Sequence, residues 1–168
     1  VVPNAVSQGY LGLTIATMAA FGMSVDAAPD YSVFRIQGGR RYIPSDFTVE
    51  GDWSGAAFLL VAGALAAKRV PLAVNGLDIH SAQPDRAILL ALEKAGARVE
   101  ARSGCIAVSR DKLRAFDFDA SGCPDLFPPL VALAASCEGR SHLKGARRLA
   151  TKESDRAAAL SEEFGKLG

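Results

Sequence analysis

The chain repeats itself, and that repetition limits its fold more than any single motif. "MAAFGMSVDAAPDYSVFRI" (18–36) and "LEKAGARVEARSGCIAVS" (92–109) share a helix end, a glycine, a strand and a hairpin. "VNGLDIHSAQPDRAILLALEKAG" (74–96) resembles "LKGARRLATKESDRAAALSEEFGKLG" (143–168) in the same way. There Gly76 matches Gly145, Asp85–Arg86 matches Asp155–Arg156 and Gly96 matches Gly168, at offsets of 69, 70 and 72 residues. A unit of that length is too long for a solenoid repeat and reads β-α-β-α-β-β, an α/β (α+β) class. The first unit is present only from its second helix, and the last stops at the glycine before its hairpin. Strands missing from a sheet leave unpaired backbone and uncovered apolar surface, so an incomplete set of units is expected to belong to a longer protein.

Local patterns supply the elements. Apolar residues recur at helical spacing over 8–21, and Gly22 is a natural stop. "MSVDA" and "YSVFRIQ" alternate as two strands around a turn at Pro29–Asp30. A second helix is predicted over 53–67, a strand at "VPLAVNG" and a third helix over 85–95 ending at Gly96. "ARVEA" and "CIAVS" form a hairpin around Ser103–Gly104. A fourth helix near 125–136, a strand at "SHLKG" and a fifth helix from about 154 complete the pattern.

Composition removes several classes of function. A net charge of +1 gives no dense basic face for nucleic acid, and no aromatics interleave with a basic strip. Cys105, Cys123 and Cys137 are odd in number and form no CxxC pair, which fits packed thiols in a reducing cytoplasm. With His80 and His142 as the only histidines, a zinc site is not expected. The apolar run "GAAFLLVAGALAA" (55–67) ends at Lys68–Arg69 and falls short of the ~20 residues that span a membrane, so it reads as a buried helix. Val1–Val2–Pro3 does not begin a secretory signal.

Four stretches can carry chemistry, each with a plain structural alternative. In "TKESDR" (151–156), Thr151, Glu153, Ser154 and Asp155 suit a helix start, whereas Lys152 and Arg156 do not. The two cations are either solvated surface residues or clamps for a phosphate or carboxylate, with Glu153 beside them as proton donor or acceptor. In "SGCPDLFPPLVALAA", Asp125 follows Pro124 and is either a helix cap or a general base at the edge of a buried element. In "VSQGY", Ser7 and Tyr10 are either a cap and an amphipathic ring or two hydroxyls facing one ligand. "VEGDWSGAAFLLVAGAL" (49–65) permits a tight strand-to-helix turn at Gly51 and Gly55 that Ser54 could cap. Its glycines form neither a dinucleotide fingerprint nor a P-loop.

Taken in order, "VSQGYLGLTIATMAAFG", "VEGDWSGAAFLLVAGAL", "PDLFPPLVALAA" and "RRLATKESDR" closely resemble the 5-enolpyruvylshikimate-3-phosphate synthases along essentially the whole chain. The resemblance implies the enolpyruvyl transferase fold: two similar domains, each of three β-α-β-α-β-β units. Residues 1–46 would then close one domain and 47–168 belong to the second, with the crossing near Asp46–Gly51. It implies transfer of the enolpyruvyl group of phosphoenolpyruvate to the 5-hydroxyl of shikimate 3-phosphate, with release of phosphate and with no metal or organic cofactor. By matching motif, Asp125 resembles the acid/base at the 5-hydroxyl and Glu153 the one at the methylene carbon. Lys152 looks like a shikimate 3-phosphate ligand and Arg156 like a phosphoenolpyruvate anchor, while Ser7 and Tyr10 resemble shikimate 3-phosphate contacts from the opposite domain.

Some positions depart from the family pattern. Where the family often reads "SKPYIDIT", this chain has "SQGYLGLT", with Gly9 for proline and Gly12 for an acid. "QPD" at 83–85 stands for the usual "QGD". Two other readings remain: a non-catalytic fragment or scaffold of the same fold, and a UDP-N-acetylglucosamine enolpyruvyl transferase, a group that lacks "KESDR". Several phosphate ligands of the family fall outside these residues, so the partners expected for the segment include further parts of its own parent chain. The 168-residue chain alone is expected to release no phosphate from shikimate 3-phosphate and phosphoenolpyruvate. A coupled phosphate assay on a sample of verified intact mass checks this, and turnover there would contradict it.

Overall fold

A computed structural model describes residues 1–3, 5–151 and 154–168. Helix α1 (Gln8–Ala20) leads to a short antiparallel hairpin of β1 (Val25–Ala27) and β2 (Phe34–Ile36), with Val25 opposite Ile36. An extended stretch follows. Its first half folds back on the end of α1, where Ile43 N donates to Phe21 O at 2.9 Å and the Phe21 and Phe47 rings lie 5.5 Å apart. At Gly51 the chain joins a second body, its N–H donating to Gly76 O at 2.8 Å.

That body begins with α2 (Trp53–Ala66). Nearly every side chain in α2 is apolar, so position decides which are covered. Trp53, Ala56, Ala57, Leu60, Val61 and Ala64 are buried at the i, i+3, i+4 spacing of one helix face. Strand β3 (Leu72–Asn75), helix α3 (Ile88–Ala95) and the hairpin of β4 (Arg98–Arg102) and β5 (Cys105–Ser109) complete the unit. The sheet order is β3-β5-β4 with both pairings antiparallel, Leu72 opposite Val108 and Val99 opposite Val108. β5 is therefore the central strand, and its Ile106 and Val108 are fully covered. Burying side chains of this size stabilises by about 1.5–3 kcal/mol each.

The next unit begins with β6 (Asp117–Asp119), crosses through α4 (Phe127–Ala135) and returns as β7 (His142–Lys144), parallel to β6 with Phe118 opposite Leu143. Helix α5 (Arg156–Gly165) closes the described chain. Single 3₁₀ turns at Pro84–Ala87 and Pro124–Leu126 lead into α3 and α4. The expected element order therefore holds, with three refinements. No strand forms over 47–52, "FDFDAS" contains β6, and the third and fourth helices each start as 3₁₀ turns at a proline.

The repeat is also visible in the backbone: Gly76 after β3 and Gly145 after β7 both adopt positive φ, 84° and 98°. Gly145 is the more constrained, because a Cβ there would lie 2.5 Å from Ser121 N. Gly145→Ala combines this overlap with a left-handed φ and is expected to destabilise by roughly 2 kcal/mol or more. Gly39→Ala, with φ 74° and open space around it, is expected to cost about half as much. Urea unfolding followed by the fluorescence of Trp53, the single tryptophan, measures both.

Candidate functional site

The residues singled out in the sequence come from four separate elements, and most of the described ones meet. Tyr10 lies in the first turn of α1. Its hydroxyl donates to Asp85 Oδ2 at 2.5 Å and lies 3.5 Å from Asp125 Oδ2. Arg156, the first residue of α5, pairs through Nη1 with Asp125 Oδ1 at 2.6 Å, both side chains about a quarter exposed. A charge-assisted contact so short and partly shielded from water is stronger than a surface ion pair. Asp85, Tyr10, Asp125 and Arg156 thus form one chain of polar contacts across four elements.

Asp125 is not the N-cap of the turn or of α4; its carboxylate reaches out of the Pro124–Leu126 turn to Arg156 and Tyr10. Ser7 also departs from the capping expectation. It occupies the N-cap position of α1 in a left-handed conformation (φ 59°, ψ 37°) without a side-chain cap. A non-glycine residue there costs about 1–2 kcal/mol, a strain that concentrates at functional positions. Its Oγ instead accepts from Arg148 Nη2 at 2.9 Å, while Arg148 Nη1 donates to Ser121 O at 3.2 Å. Ser7, Pro84, Asp119, Ser121 and Arg148 border an open cleft of about 630 Å³ between α1 and the second body. Lys152 and Glu153 lie outside the described residues.

Two supporting roles differ from the sequence reading. Asp52, not Ser54, caps α2, accepting from Ser54 N at 3.0 Å and Gly55 N at 2.9 Å. The matched pairs Asp85–Arg86 and Asp155–Arg156 have also diverged. Asp155 is exposed and caps α5 through Ala158 N at 3.0 Å, whereas Asp85 is buried and holds Tyr10. Arg86 Nε donates to Ser81 O at 3.2 Å, while Arg156 goes to Asp125. Asp85 and Arg148 are thus site residues that the sequence reading passed over. Asp85 has an identical counterpart, Asp155, in the repeat, and nothing in the spacing signalled Arg148.

Electrostatics follow from this crowding of carboxylates. Burial, then the Asp85 hydrogen bond and charge, then Asp125 push the Tyr10 hydroxyl well above its ordinary range. Burial first, then Asp85, Asp119 and Asp125, push the Cys123 thiol up to about 12, so Cys123 is an inert packed thiol. Among the described residues no group of three or more His, Cys, Asp or Glu forms a metal-binding cluster. No helix among them is long and apolar enough to cross a membrane.

The departures at "SQGY" and "QPD" meet in space. A Cβ at Gly9 would lie 3.2 Å from Pro84 Cβ and Cδ, so glycine at 9 and proline at 84 fit together. Proline at position 9 would suit the first turn of a helix; its obstacle is the ring of Pro84. Gly9→Pro is expected to destabilise by about 1–3 kcal/mol through overpacking. Adding Pro84→Gly is expected to recover most of that loss, and a double-mutant cycle of denaturant midpoints measures the coupling.

The family model for EPSP synthase (3-phosphoshikimate 1-carboxyvinyltransferase) matches residues 1–168. The chain is 40% identical over 162 residues to the 3-phosphoshikimate 1-carboxyvinyltransferase of Clostridium kluyveri, covering 96% of this chain and 37% of the relative. It is 40% identical over 163 residues to that of Aeropyrum pernix and 38% identical over 167 residues to that of Halobacterium salinarum. The chain thus spans little more than a third of the length of these relatives. Among solved structures, the EPSP synthase of Acinetobacter baumannii superposes with a TM-score of 0.72 at 25% identity, over 86% of this chain and 34% of that one. The enolpyruvyl transferase NikO of Streptomyces tendae shares the fold, with a TM-score of 0.60 at 21% identity over 84% of this chain and 34% of its own.

Proposed function

The chain belongs to the EPSP synthase family, and we propose that it carries part of the active site that transfers an enolpyruvyl group from phosphoenolpyruvate to the 5-hydroxyl of shikimate 3-phosphate. One observation carries the reading. Tyr10, Asp125 and Arg156, matched to the family motif by motif, converge although Tyr10 and Asp125 stand 115 residues apart and Asp125 and Arg156 stand 31 apart.

The 5-hydroxyl oxygen bonds to the central carbon of phosphoenolpyruvate while the methylene carbon takes a proton, which this reading assigns to Glu153. Asp125 takes the hydroxyl proton, and the Arg156 charge at 2.6 Å holds its carboxylate in place. In the second step Glu153 takes a proton back from the new methyl group, the carbon–oxygen bond to phosphate breaks, and the departing phosphate takes up the proton that Asp125 had accepted. Arg156 anchors phosphoenolpyruvate, since a guanidinium presents five N–H donors and can hold a carboxylate while addressing a phosphate. Lys152, Ser7 and Tyr10 hold shikimate 3-phosphate, and Ser7 is presented toward Arg148 by its strained backbone. The same reading divides the chain into an end of one domain, 1–46, and part of another, 47–168. The packing of Phe47 on Phe21 and the attachment of Gly51 to Gly76 support a crossing between them. We also assign the protein to the cytoplasm, and to small-molecule substrates rather than nucleic acid.

In the gene product that carries this chain, Asp125→Asn and Glu153→Gln are each expected to lower kcat roughly 10²- to 10⁴-fold. Shikimate 3-phosphate affinity should change little. Phosphate release and a direct binding titration measure the two quantities. An unaltered protein without activity, beside a working control enzyme, would discard the assignment.

A further inference from the structure

Among the described residues Asp85 is the buried charged residue of the core, 1% exposed, and the steps above do not use it. An uncompensated buried carboxylate costs several kcal/mol, so its contacts carry information. Its counterpart in the next unit, Asp155, lies at the surface and caps a helix. At position 85 the carboxylate instead turns inward and accepts the Tyr10 hydroxyl at 2.5 Å. That hydroxyl has one proton and two carboxylates in reach, Asp85 at 2.5 Å and Asp125 at 3.5 Å. The shorter contact takes the proton. A phenol that donated to Asp125 would instead compete with any substrate hydroxyl for the same oxygen and weaken it as a base.

Resting on the enolpyruvyl transfer reading, we propose that Asp85 is a positioning residue. It holds the Tyr10 proton away from Asp125, so that the Asp125 carboxylate stays free to take the proton of the substrate hydroxyl. The groups facing Tyr10 among the described residues are Asp85 from the turn before α3 and Asp125 from the turn before α4, with Arg156 of α5 behind Asp125. Tyr10's raised pKa agrees with a hydroxyl that stays protonated while it donates.

In the gene product that carries this chain, Asp85→Ala should lower kcat roughly 10- to 100-fold, the usual effect of losing a hydrogen bond to a charged group. KM for both substrates should change much less. Asp85→Asn keeps a carbonyl acceptor for Tyr10 and should retain most of the activity. In a Tyr10→Phe background, Asp85→Ala should cost nothing further, because Asp85 acts through that hydroxyl. Full additivity with Tyr10→Phe, an unchanged kcat in Asp85→Ala, or an Asp85→Asn variant as impaired as Asp85→Ala would each overturn the proposal. A second readout is independent of turnover: phenol ionisation by ultraviolet absorbance, with the Tyr10 transition isolated by subtracting the Tyr10→Phe variant. Asp85→Asn should bring that transition to lower pH, and an unmoved transition would remove the Tyr10–Asp85 contact and the proposal with it. If the transition moves but the unaltered protein lacks the transferase activity, the enolpyruvyl reading fails and Asp85 is left as the residue that holds Tyr10.

Discussion

The core of the second body is packed around helix α2. Its buried face meets the β3-β5-β4 sheet on one side and α3 and α4 on others. With nearly continuous apolar side chains, its place depends on its start. Asp52 caps the free N–H groups there, and Gln83 clasps the same turn, accepting from Trp53 N at 2.9 Å and donating to Gly51 O at 2.9 Å. Trp53, wholly buried, adds an indole N–H bond to Asp78 O at 3.2 Å. Gln83 immediately precedes Pro84 and Asp85, so the clasp that seats the core helix also sets the height at which Asp85 meets α1. Core and site are mechanically one.

The contacts between α1 and the rest are of a different kind. Besides the close approach of Gly9 to Pro84, serine, tyrosine, arginine and carboxylates make them, and the cleft beside them is open. Polar contacts bordering water are weaker than apolar packing and can be exchanged for contacts to a ligand. A site built there gains precision from the rigid body on one side and adaptability on the other.

The sequence disclosed the fold well and the site unevenly. Periodicity located α1, α2 and the β4–β5 hairpin almost to the residue, because each is a local pattern with a local boundary: Gly22 after α1, Lys68–Arg69 after α2 and the Ser103–Gly104 turn in the hairpin. β6 was harder: three residues, "DFD", owe their strand state to the parallel partner β7, some 25 positions away. Family motifs marked Ser7, Tyr10, Asp125 and Arg156, and these side chains lie within the contact chain or beside it. Asp85 drew no notice in the sequence because the same residue recurs as Asp155 in the next unit. Only burial separates the two aspartates, and burial is a property of the assembled fold. Arg148 carried no local signal, since its partner Ser7 stands 141 residues away.

The Gly9–Pro84 contact has a consequence for how such a chain could have changed over time. The common family pattern places proline in the first segment and glycine in the second, and this chain reverses them. A history that first lost the proline at 9 would pass through two facing glycines, at the modest cost of a looser backbone. The opposite order would pass through two facing prolines, with the Cβ at 9 only 3.2 Å from the Pro84 ring. The two steps are not interchangeable. Mutational paths across this contact have a preferred direction, a case of epistasis set by one van der Waals distance.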